Sequence, residues 1–322
     1  MRNTFFTSLM QLAANDPMLY LIVGDVGFSV AEPFQQTYPQ RFINAGIAEQ
    51  NMIGVAAGLA MAGKNVYVYS IVPFVTMRCF EQIRNDLCYQ KLPVKLVGVG
   101  GGFSYGPMGV THHALEDVAI MRALPHMTVV SPGSKYETEQ LVPQINALTG
   151  PAYLRLAANE ELVTYQSGTK MTLGKACEII PHKDQYLVAS GNALDLAMQV
   201  NTLLKKENID IGLVSMPTIK PLDHEFFANR RHSAIFTIEE HSCIGGLGDA
   251  VARLLCETSA THSVFHAFGV NDCYPAYAGS RTALKEQLGL TPQHIAEIIM
   301  NKISYSKDCA CTASSDPVKS SF

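Results

Sequence analysis

No stretch of this 322-residue sequence reaches the roughly 18–20 consecutive apolar residues that a membrane-spanning helix requires. The nearest approach, Met52 to Ala62, is short and directly follows the polar Glu49-Gln50-Asn51. Charge is scarce and nearly balanced, with 16% charged residues and a formal net charge of −4. That balance gives no general field to draw in nucleic acid or an anionic membrane, and neither is expected as a partner. No signal pattern of basic, apolar and cleavage-site regions opens the chain, and no two of the eight cysteines have C-x-x-C spacing. A reduced, cytoplasmic protein is expected. Cys309 and Cys311 form a lone C-x-C in a polar tail, which is too little to specify a metal site. No internal repeat is present. What the chain does have is 48% hydrophobic residues and length enough for two domains with sizeable cores.

The first half alternates two kinds of segment. Leu19–Val23 is a short apolar run, Asn65–Ser70, Val94–Val99 and Met127–Ser131 are rich in β-branched and aromatic residues, and Ala152–Leu156 makes a fifth strand-like segment. Between them, Phe5–Asn15, Ile47–Ala62, Phe74–Tyr89, Leu115–Leu124 and Ser134–Leu148 read as helices. Periodicity is lost from Ala157 to Met171 and then resumes. The second half gives strands at Gln185–Ser190, Asp210–Met216, Ser233–Glu239 and Val264–Phe268, with helices at Ala193–Lys206, Leu247–Thr258 and Pro292–Ile303. Two consecutive three-layer α/β domains follow, at residues 1–165 and 166–305, with a loose polar tail at 306–322. Parallel sheets with helices on both faces are expected, with ligands at the carboxyl ends of the strands.

One helix stands out. From Ala45 to Gly63 small residues dominate and no charge follows Glu49, so burial on nearly all sides is expected. Small residues let another backbone or a flat ligand come close. A carboxylate at the start of such a helix benefits from the helix dipole, but burying it without a partner is costly. Glu49 must therefore neutralise itself or hydrogen-bond something specific.

Ile43-Asn-Ala-Gly-Ile-Ala-Glu-Gln-Asn-Met52 resembles the conserved-glutamate motif of the transketolase-like thiamine diphosphate enzymes. Pro73-Phe74, Phe80-Glu81-Gln82, Gly109-Val-Thr-His-His113, Glu239-Glu-His241 and Gly245-Gly-Leu-Gly248 follow in the order seen in that family. The resemblance runs from about residue 3 to 305. It covers only the pyrimidine-binding and C-terminal domains, because the Gly-Asp-Gly…Asn motif for Mg²⁺ and diphosphate is absent; Gly24-Asp25-Val26 lacks the second Gly and the spaced Asn. The resemblance thus implies a split enzyme: two copies of this chain with two copies of a partner that carries most of the Mg²⁺ and diphosphate contacts. Alone, the chain would be inactive.

By the same resemblance, Glu49 would hydrogen-bond N1′ of the aminopyrimidine and so promote loss of the reactive thiazolium proton. Phe74 would stack on that ring and Phe80 would complete the pocket. An ordinary helix core is the plainer reading of Phe80, since Phe74, Met77, Phe80 and Ile83 form an i, i+3 apolar stripe. Arg78 and Arg84 lie off the stripe and read as surface or partner contacts. His112 matches the histidine that reaches substrate hydroxyls, with His113 beside it as a second candidate. Asp25, after the first strand, would approach the cofactor or simply cap a turn. Gly100–Gly106 reads as a loop a ligand could approach closely, without a nucleotide fingerprint. Glu239, Glu240, His241 and the glycines that follow read as structural.

The resemblance is imperfect on the substrate side. Where related sequences carry an Asp before the Thr-His pair, this chain reads Gly106-Pro-Met-Gly-Val110, with Met108 nearest that position. Arg155 is the remaining candidate for a sugar phosphate, and the basic residue often seen a few positions later is replaced by Ala157 or Ala158. The pattern implies transfer of a two-carbon ketol unit from a ketose to an aldose, with an unusual donor or acceptor. A 2-oxo acid dehydrogenase β subunit, a split deoxyxylulose-phosphate synthase and a non-catalytic assembly homologue are the alternatives.

Overall fold

Residues 1–158, 165–166, 168–230, 233–258 and 264–313 are described in the computed structural model, residues 305–313 as backbone alone. The five apolar runs of the first half become strands β1 (Leu19–Val23), β3 (Asn65–Ile71), β4 (Val94–Val99), β5 (Thr128–Val130) and β6 (Ala152–Leu156). A further strand, β2 (Phe42–Asn44), has three residues, too few to show a period in the sequence. All six are mutually parallel where they pair. Along β3 the pleat sends Tyr67 and Tyr69 to one face and Val66 and Val68 to the other. The tyrosine face is covered by helices Arg2–Asn15 and Lys135–Asn146, and the valine face by Glu49–Met61 and Asp117–Ala123.

The second half supplies β7 (Cys177–Ile180), β8 (Gln185–Ala189), β9 (Gly212–Ser215), β10 (Thr218–Lys220), β11 (Ala234–Ser242) and β12 (Val264–Val270). β10 returns to the first sheet, antiparallel to β5, and gives the order β10-β5-β6-β4-β3-β1-β2. The other five form a second sheet, β12-β11-β8-β9-β7, in which only β7 runs antiparallel. Helices Leu194–Lys206 and Pro292–Ala313 pack on one face and Leu247–Glu257 on the other. The expected boundary between residues 165 and 166 falls within the connection from β6 to β7.

Two expectations are corrected. The tail is expected from residue 306, whereas the last helix continues to Ala313, because no Pro or Gly interrupts the sequence between Pro292 and Pro317. Residues 314–322 and the side chains of Cys309 and Cys311 lie outside the described set. The helix expected over Phe74–Tyr89 is broken into Val72–Thr76, the single turn Phe80–Gln82 and a π-helical turn at Ile83–Cys88, with Met77–Cys79 between. The Thr76 hydroxyl donates back to the Val72 carbonyl and the Cys79 thiol to the Val75 carbonyl, competing with the helical ladder at that break.

A buried polar network joins the domains. Arg155 on β6 ion-pairs with Asp117 at 2.8 Å and donates to the carbonyls of Ala114 and Glu240. Tyr153 donates to the same Asp117 carboxylate. From the second domain, Glu240 accepts the Phe103 N–H, the Asn192 amide and the Arg281 guanidinium. Glu239 accepts the N–H groups of Leu247 and Gly248 and so caps its helix. Burial pushes Glu239 up to about 7, against those two donors, and pushes His241 down to about 4.

Asp117 is fully buried, so Asp117→Asn would leave the Arg155 charge without its counter-ion. The expected cost is about 3–5 kcal/mol, read as a lower urea midpoint, and a second substitution Arg155→Met should recover part of it. An unchanged midpoint would mean that the pair does not stabilise the fold.

Candidate active site

The carboxyl ends of β4, β3, β1 and β2 lie side by side, and each is followed by residues singled out in the sequence. Asp25 follows β1, the turn into Glu49 follows β2, Phe74 and Arg78 follow β3, and the Gly-rich segment leading to His112 follows β4. Asn44 shapes the turn after β2: its side-chain oxygen accepts the N–H groups of Asp25 and Gly46, and its amide donates to the Asp25 carboxylate. Gly46 takes φ +71°, which a glycine adopts without strain.

Glu49 is the first residue of its helix and is only 4% exposed. Nη1 of Arg78 lies 3.3 Å from both of its carboxylate oxygens. The neighbouring Gln50 donates its side-chain amide to the Arg78 carbonyl, which the break at Met77–Cys79 leaves free. The Arg78 guanidinium also lies over the Phe74 ring, 4.0 Å from its centroid. Arg78 thus lies beside Glu49 and Phe74 with its side chain 48% exposed, at a position that reads in the sequence as a surface or partner contact. Its place four residues after Phe74 is the available signal, and the helix break that aims it inward is not visible in the sequence.

Phe74 is half-buried and meets His112 edge-to-face, with centroids 5.1 Å apart. The Thr111 hydroxyl is 3.0 Å from Nδ1 of His112, and Tyr105 approaches the far side of the imidazole. Burial, then His113 and Arg78, lower the proton affinity of His112 below that of an ordinary histidine. Glu49, Arg78, Phe74, His112 and Tyr105 thus form one continuous line. Beside it is a cavity of ≈ 430 Å³ lined by Ile47, Ala48, Glu49, Gln50, Asn51 and Arg78.

Other candidates lie elsewhere. Phe80 packs against the core on the valine face of the first sheet, but the stripe through it is broken, since Met77 is exposed. Asp25 is exposed and engaged with Asn44, at a positive φ of 53°. His113 is buried behind the line; Nε2 pairs with the Gly106 carbonyl and the ring meets Phe103 edge-on, so it faces away from His112. Arg155 is buried in the domain network and its donors are committed there. The Gly-rich loop is approached closely by this chain's own side chains rather than left open. A Cβ at Gly102, whose φ is +63°, would meet the Glu240 carboxylate at 2.4 Å, and one at Gly101 the Arg155 guanidinium at 2.8 Å.

The small-residue helix is not enclosed as expected. Asn51, Gly54, Gly58 and Met61 are exposed, and a Cβ at either glycine would meet nothing within 4 Å. The close approach these glycines permit is not used within the chain.

A buried carboxylate, an aromatic face and an imidazole can hold one end of a flat, nitrogen-bearing ring. Among the described residues no three His, Cys, Asp or Glu side chains converge as a metal site. The residues fit the pyrimidine end of thiamine diphosphate.

Two family models match the chain. The pyrimidine-binding domain of transketolase matches residues 1–160 and the transketolase C-terminal domain matches residues 174–295. This chain belongs to the transketolase family. It is 35% identical to a putative transketolase C-terminal section of Methanocaldococcus jannaschii, over 94% of this chain and 96% of that protein. It is also 35% identical to one subunit of an apulose-4-phosphate transketolase from Phocaeicola vulgatus, over 80% of this chain and 83% of that subunit. Among solved structures it resembles a split-gene transketolase described as an inactive beta4 tetramer, with a TM-score of 0.84 and 33% identity over 94% of this chain and 97% of that one. This transketolase-family chain therefore has the two-domain α/β architecture of subunits encoded separately from the rest of their enzyme.

The position of His112 sets a titration. Its ¹⁵N NMR midpoint should lie below about 6.5, the ordinary histidine value, and should rise in Arg78→Ala as one nearby positive charge is removed. A midpoint at or above the ordinary value, or no rise in Arg78→Ala, would show that burial and the nearby positive charges do not act on His112.

Proposed function

We propose that this chain is the pyrimidine-binding subunit of a two-subunit, thiamine diphosphate-dependent transketolase that moves a two-carbon ketol unit from a ketose donor to an aldose acceptor. The observation that carries this reading is a buried carboxylate at a helix start, Glu49, with one guanidinium reaching both it and the face of Phe74. When bound, the cofactor supplies an electron sink for breaking and forming carbon–carbon bonds. Glu49 hydrogen-bonds the pyrimidine ring nitrogen and holds or releases its proton there. Phe74 offers a flat face that fixes the ring's tilt, and the burial around both excludes water from the carboxyl. His112, neutral near pH 7, meets a sugar hydroxyl as donor or acceptor, and Thr111 fixes its ring.

Mg²⁺ and the diphosphate are assigned to a separate subunit carrying the Gly-Asp-Gly…Asn motif, two copies of each chain forming the enzyme. Two features support this: the uncovered Gly54–Gly58 face next to the cavity, and a relative that is itself one subunit of its transketolase. The six described cysteines are all free, which suits a reduced cytoplasmic setting. On the substrate side, Met108 is 59% exposed and Arg155 is committed to the domain network, so the sugar contacts they would supply in related enzymes come from elsewhere or are absent. That favours an unusual donor or acceptor over a standard sugar-phosphate pair. Domain limits at residues 1–165 and 166–305 remain the working division.

The test is ketol transfer from a panel of ketoses by this chain mixed with its diphosphate-binding partner, thiamine diphosphate and Mg²⁺. Glu49→Gln should lower kcat about 10²–10⁴-fold, the range for losing a positioned acid–base group. Phe74→Ala should mainly raise the cofactor concentration needed for half-maximal rate. Full turnover in Glu49→Gln, or turnover by this chain without the partner, would overturn the reading.

A further inference from the structure

Arg78 makes two contacts at once that the proposed function assigns to the cofactor. Cζ of its guanidinium lies over the Phe74 ring, 4.0 Å from the centroid, and Nη1 meets both Glu49 oxygens at 3.3 Å. An aminopyrimidine presents the same chemistry, namely a flat delocalised face and polar nitrogens at the edge. Both cannot use the Phe74 face and the Glu49 carboxylate together. We propose that Arg78 is a resident surrogate for the cofactor's aminopyrimidine in the unpartnered chain and that it must swing out before the ring can enter. This inference rests on the reading of Glu49 and Phe74 as the cofactor's pyrimidine site.

The local structure suits a group that leaves. The Arg78 side chain is 48% exposed, whereas that of Glu49 is 5% exposed, so the guanidinium reaches in from the solvent side. It springs from the non-helical break at Met77–Cys79, and its backbone is tied separately by Gln50. The side chain can therefore move while the main chain stays in place. A single Nη1 shared between two oxygens also lacks the two parallel bonds that make arginine–carboxylate pairs strong. Ion pairs reached from solvent and exposed cation–π contacts are individually weak, so a ligand can displace the group.

Displacement nevertheless has a measurable effect. A surrogate seated nine-tenths of the time leaves about one-tenth of the chains competent and weakens apparent affinity about tenfold. It also serves the unpartnered chain by giving the Glu49 carboxylate a counter-charge where an unpaired one would be costly. A partner that supplies diphosphate contacts would then tip the competition toward the cofactor.

The test uses the full chain alone, with thiamine as the probe because it carries the aminopyrimidine and needs no diphosphate site. Titration calorimetry or saturation-transfer NMR would compare wild type with Arg78→Ala, Glu49→Gln and Phe74→Ala. The expected result is binding about tenfold tighter in Arg78→Ala than in wild type, and weaker in Glu49→Gln and Phe74→Ala. Rising salt, which loosens the ion pair, should tighten wild-type binding and leave Arg78→Ala little changed. Equal or weaker binding in Arg78→Ala, with Phe74→Ala still abolishing it, would overturn the surrogate while leaving the cofactor site standing. Binding that Glu49→Gln and Phe74→Ala do not affect, or no binding in any variant, would overturn the site reading and the surrogate together.

Discussion

Keeping a carboxylate out of water at the start of an apolar helix is the constraint around which this chain is arranged. Glu49 gains something from the positive end of its helix, but the apolar residues from Met52 to Met61 offer it no side-chain hydrogen bond. A partner has to be brought in from another strand. The turn after β2, tied by Asn44, fixes where the helix begins, and the broken helix after β3 delivers Arg78 to the carboxylate. The parallel sheet makes that meeting possible by setting the ends of β1, β2 and β3 side by side. A continuous helix from Phe74 to Tyr89 would not place a non-helical residue at position 78.

The second domain acts on the site at a distance, through the loop after β4. That loop carries His112 at its far end and is held near its beginning by Glu240, which accepts the Phe103 N–H. Gly101 and Gly102 have no side chains because Arg155 and Glu240 occupy the space a Cβ would need. His113 ties the loop again through the Gly106 carbonyl. Adjacent histidines thus divide the work: His113 anchors the loop from inside while His112 faces Phe74. Arg155 belongs to the same anchoring system, which explains why so strongly charged a group can be buried without a ligand.

The repeated strand and helix signals are legible because burial on both sheet faces leaves short, mostly apolar runs, and β1, β4 and β6 fall where those runs lie. Glu49 is legible for the opposite reason, as a charge out of keeping with its apolar surroundings. Phe74 and His112 are legible through their motif. Three kinds of feature are not. Short strands such as β2 and β10 have no period to read, and β10 pairs with a strand about ninety residues earlier. The helix break at Met77–Cys79 arises from side-chain bonds back to the main chain, which periodicity does not register. The roles of Arg78, His113 and Arg155 depend on which direction a side chain leaves its loop or strand. Sequence spacing gives their neighbourhood but not their direction.

The exposed side of the small-residue helix and the pairing of Arg78 have a common origin in incompleteness. Gly54 and Gly58 have no neighbour to approach, although glycine weakens a helix by roughly 1 kcal/mol per residue relative to alanine. A chain that folded only for itself would gain by replacing them. The cavity beside Glu49 likewise ends at Ile47, which is 77% exposed. An uncovered glycine face, an exposed isoleucine at the rim and an arginine seated on the cavity's carboxylate lie next to one another. On the proposed reading this is a half-site whose remaining wall is another chain. In the chain by itself, Arg78 supplies the counter-charge that the buried carboxylate needs.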